Sequence, residues 1–303
     1  MKVGFILRIG EPLHLGRPPS YREIRQQARQ VEQAGFDSLW VHDHLLFRFP
    51  DRPQFGVHEC WSILGGLAEA TERVELGTLV ICALWRDPAL LAKMAVTMDE
   101  VSGGRFTLGL GAGGHEPEFT AFGYPFDHLA SRFEEALQII VPLLRDGEVD
   151  FRGRYYRAPN CALLPRGPRP GGPPVLVAGR GPRMLRLAAR YADQWNAAWF
   201  GCVAPLAERR AAMGAACRDV GRDPDSLTLT VGVNLAVGAP AGTPIDPDRV
   251  LSGTAREIAE ALSAFEAAGV PHVLVGAPYA GSPDLAAATI DLLGDALARF
   301  RRR

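Results

Sequence analysis

Three short stretches of this chain carry side chains of the kind that does chemistry. The first is His42-Asp43-His44. Side chains alternate along an extended segment, so His42 and His44 face one side and Asp43 the other. An imidazole titrates near neutrality, which suits His44, with Asp43 beside it, to acid/base work or to contact with a cofactor. The plainer reading is a polar strand end whose hydrogen bonds are satisfied within the fold. His-x-His can also supply two ligands to zinc, but a metal-dependent hydrolase needs more from later strands. The histidines are His14, His42, His44, His58, His115, His128 and His272. The last of these opens its strand rather than ending it, so no metal site is expected.

The second stretch is Gly109-Leu110-Gly111-Ala112-Gly113-Gly114, which formally satisfies G-x-G-x-x-G. The dinucleotide fingerprint requires a helix to open at its third glycine. Here His115-Glu116-Pro117 follows, and the next helical pattern begins at Ser131. What remains is a backbone without Cβ atoms, which a flat or phosphorylated ligand can approach closely. The third stretch, Gly179-Arg180-Gly181, precedes Pro182 and a helical pattern. Free amides at a helix start, together with a guanidinium, make an anion site; an ordinary glycine-containing turn is the alternative.

The elements that must position these residues alternate along the chain. Short apolar runs rich in β-branched residues are each followed by a helical pattern, the mark of repeated βαβ units. The strand runs are 3–7, 38–41, 74–82, 105–110, 175–178, 194–197, 227–237 and 272–275. Ser20 with Glu23 forms a capping box for the first helix, Asp87-Pro88 starts the third, and Gly103-Gly104 closes it. Between 42 and 58 the pattern is irregular. Residues 146–172 interrupt the beat with an expected hairpin, 149–151 against 155–156, and a Pro/Gly/Arg-rich stretch. Eight strand–helix pairs predict one domain over 1–303, a (β/α)8 TIM barrel with insertions in the βα loops. A doubly wound sheet is second choice, because such sheets usually stop at fewer strands. In a barrel the active site lies at the C-terminal strand ends, where all three stretches fall.

Composition narrows the partners. The chain has 303 residues, 47% hydrophobic and 22% charged, with a net charge of −1. That profile is globular and gives no field to attract nucleic acid or an anionic membrane. Only Lys2 and Lys93 among the basic residues are lysines. The five cysteines are widely spaced and form no C-x-x-C pair, which favours a reducing compartment over a disulfide framework. The first apolar run is too short for a secretory core, and no run reaches membrane-spanning length. A cytoplasmic protein acting on a small molecule is expected.

The segments GFDSLWVHDHLL, ERVELGTLVICALWRDPALLAKMAVTMDEVSGGRFTLGLGAGGHEPEF, FRGRYYRAP and VLVAGRGPRMLRLAARYADQWN together resemble the luciferase-like oxidoreductases. The likeness is greatest to the branch that uses the deazaflavin coenzyme F420. The resemblance implies a barrel, usually a homodimer, in which Asp43 and His44 face the deazaflavin ring and His44 exchanges a proton. It implies that Leu79-Val80 is a strand bulge propping the ring, through a non-prolyl cis peptide in relatives. Cys82, Ala112 and Gly113 match further cofactor-lining positions, and Gly179, Arg180 and Gly181 the loop that holds the cofactor's phosphate. Two readings of activity follow: hydride transfer between F420 and an unidentified organic substrate, or a monooxygenase using reduced FMN. Sugar-phosphate dehydrogenases of the group carry a carboxylate where this chain has Gly114. Glu116 and Glu118 are candidates to replace it, and glycine at 114 should open the pocket.

Overall fold

A computed structural model describes residues 1–11, 17–240 and 242–302; His14 and Arg303 lie outside them. Eight parallel strands close a ring: β1 (Lys2–Leu7), β2 (Ser38–Val41), β3 (Glu75–Thr78), β4 (Phe106–Gly111), β5 (Val175–Ala178), β6 (Gln194–Phe200), β7 (Thr228–Leu235) and β8 (His272–Gly276). Each pairs with the next in sequence, and β8 returns to β1 with Val3 opposite Val273. Crossover helices cover the outside, as right-handed βαβ connections require. Their ends follow the sequence signals. Ser20 and Glu23 complete a capping box on α1 (Tyr21–Gln33). Cys60–Ala70 is α2, and Asp87 caps α3 (Pro88–Val101) through the amides of Ala89 and Leu90.

Four local expectations are corrected. The predicted strand 74–82 breaks after Thr78 and resumes at Ile81–Cys82, which pairs with β4 rather than β2. Between them the Leu79–Val80 peptide is cis, the geometry the resemblance implied. The irregular stretch 42–58 contains an antiparallel hairpin, Leu46–Phe49 against Arg52–Gly56. The loop after β4 opens a seven-residue helix, α4 (Glu116–Phe122), ended by Gly123 in the left-handed region. The insertion hairpin pairs Glu148–Arg152 with Arg157–Ala162. Residues 155–156 belong to its turn, because the Glu135 carboxylate accepts from the amides of Arg154, Tyr155 and Tyr156 and holds them off the ladder. The remaining helices are α5 (Leu129–Arg145), α6 (Pro182–Tyr191), α7 (Leu206–Asp219), α8 (Ala255–Ala267) and α9 (Pro283–Arg301).

The barrel interior is filled in storeys. At the bottom, Trp40 Nε1 donates to Ser38 Oγ at 2.8 Å, and that hydroxyl lies 2.9 Å from His272 Nε2. Burial pushes the His272 pKa down to about 4, so the ring is neutral. Above this network Ile6, Trp40, Leu79, Leu176 and Leu274 form an apolar plug, separate from the larger core between sheet and helices. Gly77 makes room for it: a Cβ there would lie 2.3 Å from the Trp40 ring. The open end above the plug is the C-terminal rim.

Candidate active site

Residues 42–44 leave β2 still extended, and the alternation expected of them holds. His42 and His44 line a cavity of about 300 Å³ at the rim, and Asp43 does not. His44 Nδ1 donates to the Glu118 carboxylate at 3.1 Å, which fixes the proton on that nitrogen and leaves Nε2 without a partner among the described residues. Glu118 is 1% exposed. It reaches β2 because α4 begins directly after His115 and turns Glu118 and Phe119 inward. Burial opposes its ionisation, but the His44 hydrogen bond and the amides of Leu45 and Leu46 hold its pKa below the usual carboxylate range. Phe47 packs its ring 4.2 Å from that of His44, and Phe55 lies 4.8 Å from Phe47. The hairpin is thus an aromatic wall beside the imidazole.

His42 is fixed differently. Its Nδ1 donates to the Leu79 carbonyl at 2.8 Å, at the cis peptide. Burial, then the neighbouring His44, lower its pKa to about 4. A neutral His42 orients the bulge but carries no proton to give at neutral pH.

Asp43 points into the wall of the barrel. Its Oδ2 accepts from Arg86 Nη1 at 2.7 Å and from the Cys82 amide at 2.9 Å, while Arg86 Nη2 reaches Oδ1 at 3.1 Å. Arg86 also donates to Glu59. Burial works against the guanidinium's charge, yet these carboxylates raise its pKa. The two-pronged pair therefore ties the tip of β2 to the 81–86 segment. Burial pushes the Cys82 thiol up to about 12, so it is a packing group and not a thiolate.

The glycine run after β4 serves this neighbourhood first. A Cβ on Gly109 would lie 1.9 Å from the Thr78 carbonyl, and one on Gly111 would lie 2.7 Å from Val80. Both glycines admit the Leu79–Val80 bulge, and Gly113, at φ +72°, seats Cys82 and Phe119. Only Gly114 of the run has open space where its side chain would be. The expectation that the whole run is bare for a ligand is corrected accordingly. The objection to a dinucleotide fingerprint now rests on the closed barrel, since a helix does start soon after the third glycine. Because Leu110 pairs with Val177, the 112–114 loop adjoins 179–181. Gly181 precedes α6 with no side-chain cap. Arg180 is exposed and feels Arg209 and Arg249, which, after burial, help lower its pKa. None of the three forms an ion pair among the described residues.

Of the residues singled out from sequence, Asp43, Cys82 and Gly113 meet beside the Leu79–Val80 bulge, Gly179–Gly181 follow the neighbouring strand β5, and His44 stands on the cavity side of β2. Ala112 packs partly buried against the core below. The rim cavity lies on the other side of His44, over β7, β8, β1 and β2. Its wall includes Arg8, Phe47, Phe55, Trp199, Asn234 and Gly276, none of which was selected from sequence. Ala198–Trp199 is a second non-prolyl cis peptide, unforeseen. Glu118 was named but not placed. Its signal was present: a proline in the first turn and a glycine just past the end mark a short helix.

The profile of the luciferase-like monooxygenases matches residues 1–241. The chain belongs to that family. A phthiodiolone/phenolphthiodiolone dimycocerosates ketoreductase from Mycobacterium sp. (strain JLS) is 30% identical over 93% of this luciferase-like chain and 78% of that protein. The F420-dependent glucose-6-phosphate dehydrogenase of Amycolatopsis mediterranei (strain U-32) is 33% identical over 57% of this chain, spanning 52% of the relative's length. Among solved structures, an F420-dependent secondary alcohol dehydrogenase in complex with an F420-acetone adduct superposes with a TM-score of 0.78 at 20% identity, covering 99% of each chain. The monooxygenase RslO1 from Streptomyces bottropensis gives 0.76 at 21%, over 99% of this chain and 100% of that one. At those identities the likeness concerns the fold of the luciferase-like barrel. No group of three or more His, Cys, Asp or Glu suited to a metal occurs among the described residues, and no helix there is long and apolar enough to cross a membrane.

Proposed function

We propose that this luciferase-like oxidoreductase transfers a hydride between coenzyme F420 and a small organic substrate. The observation that carries the reading is the buried Glu118 holding His44 Nδ1, with His44 lining the rim cavity. F420, when bound, supplies or accepts the hydride at its ring. His44 Nε2 exchanges the coupled proton with the substrate, and Glu118 stabilises the imidazolium that forms. Asp43 acts by position, keeping Cys82 and the bulge in place through Arg86. The aromatic hairpin covers one side of the imidazole through Phe47.

The chain's own groups fit the cofactor. Leu79 and Val80 would back the ring, while Cys82, Ala112 and Gly113 would lie along its edge. Gly179, Arg180 and Gly181 would hold the phosphate at the uncapped start of α6. Arg209 and Arg249 add unpaired positive charge beyond what one phosphate uses. F420 carries a glutamyl tail that FMN lacks, so this surplus favours F420. The monooxygenase reading, with reduced FMN and oxygen, is second; the family profile and the RslO1-like fold support it. Anaerobic titration followed by absorbance decides between them. F420 should bind more tightly, and tight FMN binding without F420 binding would reverse the order.

A cytoplasmic homodimer belongs to the same reading. Helix α3 leaves Leu90 and Val101 exposed at 55% and 44%, about three turns apart and so on one face. Sedimentation at the monomer mass would remove the dimer.

A further inference from the structure

Arg8 stands where the barrel's own alternation sends it. Gly4 and Ile6 of β1 face the interior: a Cβ on Gly4 would meet Ser38, Leu274 and Trp40, and Ile6 belongs to the plug. Two residues further on, Arg8 emerges above the plug into the rim cavity that His44 also lines. Among the described residues its one hydrogen bond runs from Nη1 to the Pro278 carbonyl, at 2.8 Å. It has no carboxylate partner among the described residues, and residues 12–16, Pro-Leu-His-Leu-Gly, contain no acid. Glu11, on the same wall, turns its Oε2 to the Gly56 amide at 2.6 Å. Burial lowers the Arg8 pKa, with no acidic group acting to raise it.

Such a guanidinium is unusual, because a half-buried arginine normally finds an anion within its own protein. The rest of the wall is apolar where Ile6, Ile9, Phe47, Phe55 and Val57 meet. Level with Ile6 on β8, Gly276 supplies no side chain. A Cβ there would lie 3.3 Å from Asn234 Oδ1 and 3.4 Å from Ile6 Cδ1. The glycine therefore keeps a gap open in the cavity wall beside Ile6 and Asn234.

We infer that Arg8 is a specificity-determining residue that anchors a carboxylate on an otherwise apolar substrate. The planar fork of arginine matches a carboxylate with two parallel hydrogen bonds. A single guanidinium neutralises one charge, and His42 stays neutral beside it, so a monoanion is the better match than a phosphate dianion. The apolar wall then takes the body of the substrate and holds it toward His44. This deepens the oxidoreductase reading and rests on it for the reaction, though not for the binding site.

The test uses octanoate, octanol and methyl octanoate as probes of the cofactor-free full chain. Of the chain's tryptophans only Trp199 lines this cavity, so its fluorescence reports occupancy. Octanoate should bind roughly ten- to a hundredfold more tightly than either uncharged analogue. Arg8→Ala and Arg8→Gln should abolish that preference while octanol affinity stays the same, and Arg8→Lys should keep part of it. Gly276→Val, which fills the gap without touching Arg8, should weaken all three probes. Equal affinity of the probes in the unaltered protein, no binding of any, or a preference that survives Arg8→Ala would overturn the proposal. So would a loss of F420 affinity in Arg8→Ala, since Arg8 would then serve the cofactor. F420 and FMN titrations run in parallel keep the two readings apart: selective octanoate binding with no deazaflavin binding leaves the anchor standing and removes the cofactor.

Discussion

Across the rim of the barrel, two sides are built from different materials. Over β3, β4 and β5 the surface is largely backbone: a cis bulge, a run of glycines that admits it, and an uncapped helix start with arginines around it. Over β7, β8, β1 and β2 it is side chains: an aromatic hairpin, an interior-facing arginine, a lone asparagine amide and a tryptophan after a second cis peptide. His44 stands at the seam, fixed from below by Glu118. A backbone surface suits a ligand that is always the same, and a side-chain surface is the part that single substitutions can retune. The proposed cofactor and substrate sides divide along that line.

Breaking the seam should cost most. His44→Ala should lower turnover by roughly 10²–10⁴-fold with little change in F420 affinity, as single-turnover stopped-flow would record. Unchanged turnover removes His44 from the mechanism. Asp43→Ala strands the buried Arg86 charge and should cost about 3–5 kcal/mol in urea unfolding. If its loss is confined to activity, Asp43 touches the reacting groups rather than positioning them.

Acid should attack the seam and the floor beneath both sides. His42 and His272 are lowered to about 4 in the fold, against about 6.5 in the unfolded chain. The unfolded state therefore binds more protons between those values, and stability present above pH 6.5 is lost as pH falls toward 4. Each ring accounts for on the order of 3 kcal/mol. Urea midpoints from pH 7 to 4 should show the drop, and His272→Asn should remove about half of its steepness. An unaltered slope in that variant would place the linkage elsewhere.

Smaller effects separate the sides themselves. Arg209→Ala with Arg249→Ala should weaken F420 roughly tenfold and leave FMN unaffected; equal loss for both would deny the arginines a tail-reading role. Among the glycines, Gly114→Ala should stay within about 0.5 kcal/mol of the parent, whereas Gly109→Ala should fail to fold or melt many degrees lower. Similar melting temperatures for the two would contradict the packing assigned to the run.

The same division explains what the sequence made legible. Strand count, helix starts at Ser20 and Asp87, and the three loop stretches are written in local residue types, so the barrel and its cofactor side could be read. Arg8 could not, because nothing local distinguishes an arginine that faces the interior from one that faces solvent. That depends on the register of β1 against β2 and β8. The hairpin at 46–56 was hidden by Pro53, which normally argues against a strand. Glu118 is obscured in the sequence because a proline ordinarily reads as a helix breaker, whereas Pro117 stands in the first turn of α4. The 74–82 run reads as one strand, and only the clash between Gly109 and Thr78 that a Cβ would create reveals where it must yield.

The plug of Ile6, Trp40, Leu79, Leu176 and Leu274 has a kinetic consequence. It makes the barrel a flask with a single neck, so every molecule that visits His44 comes and goes by the same opening.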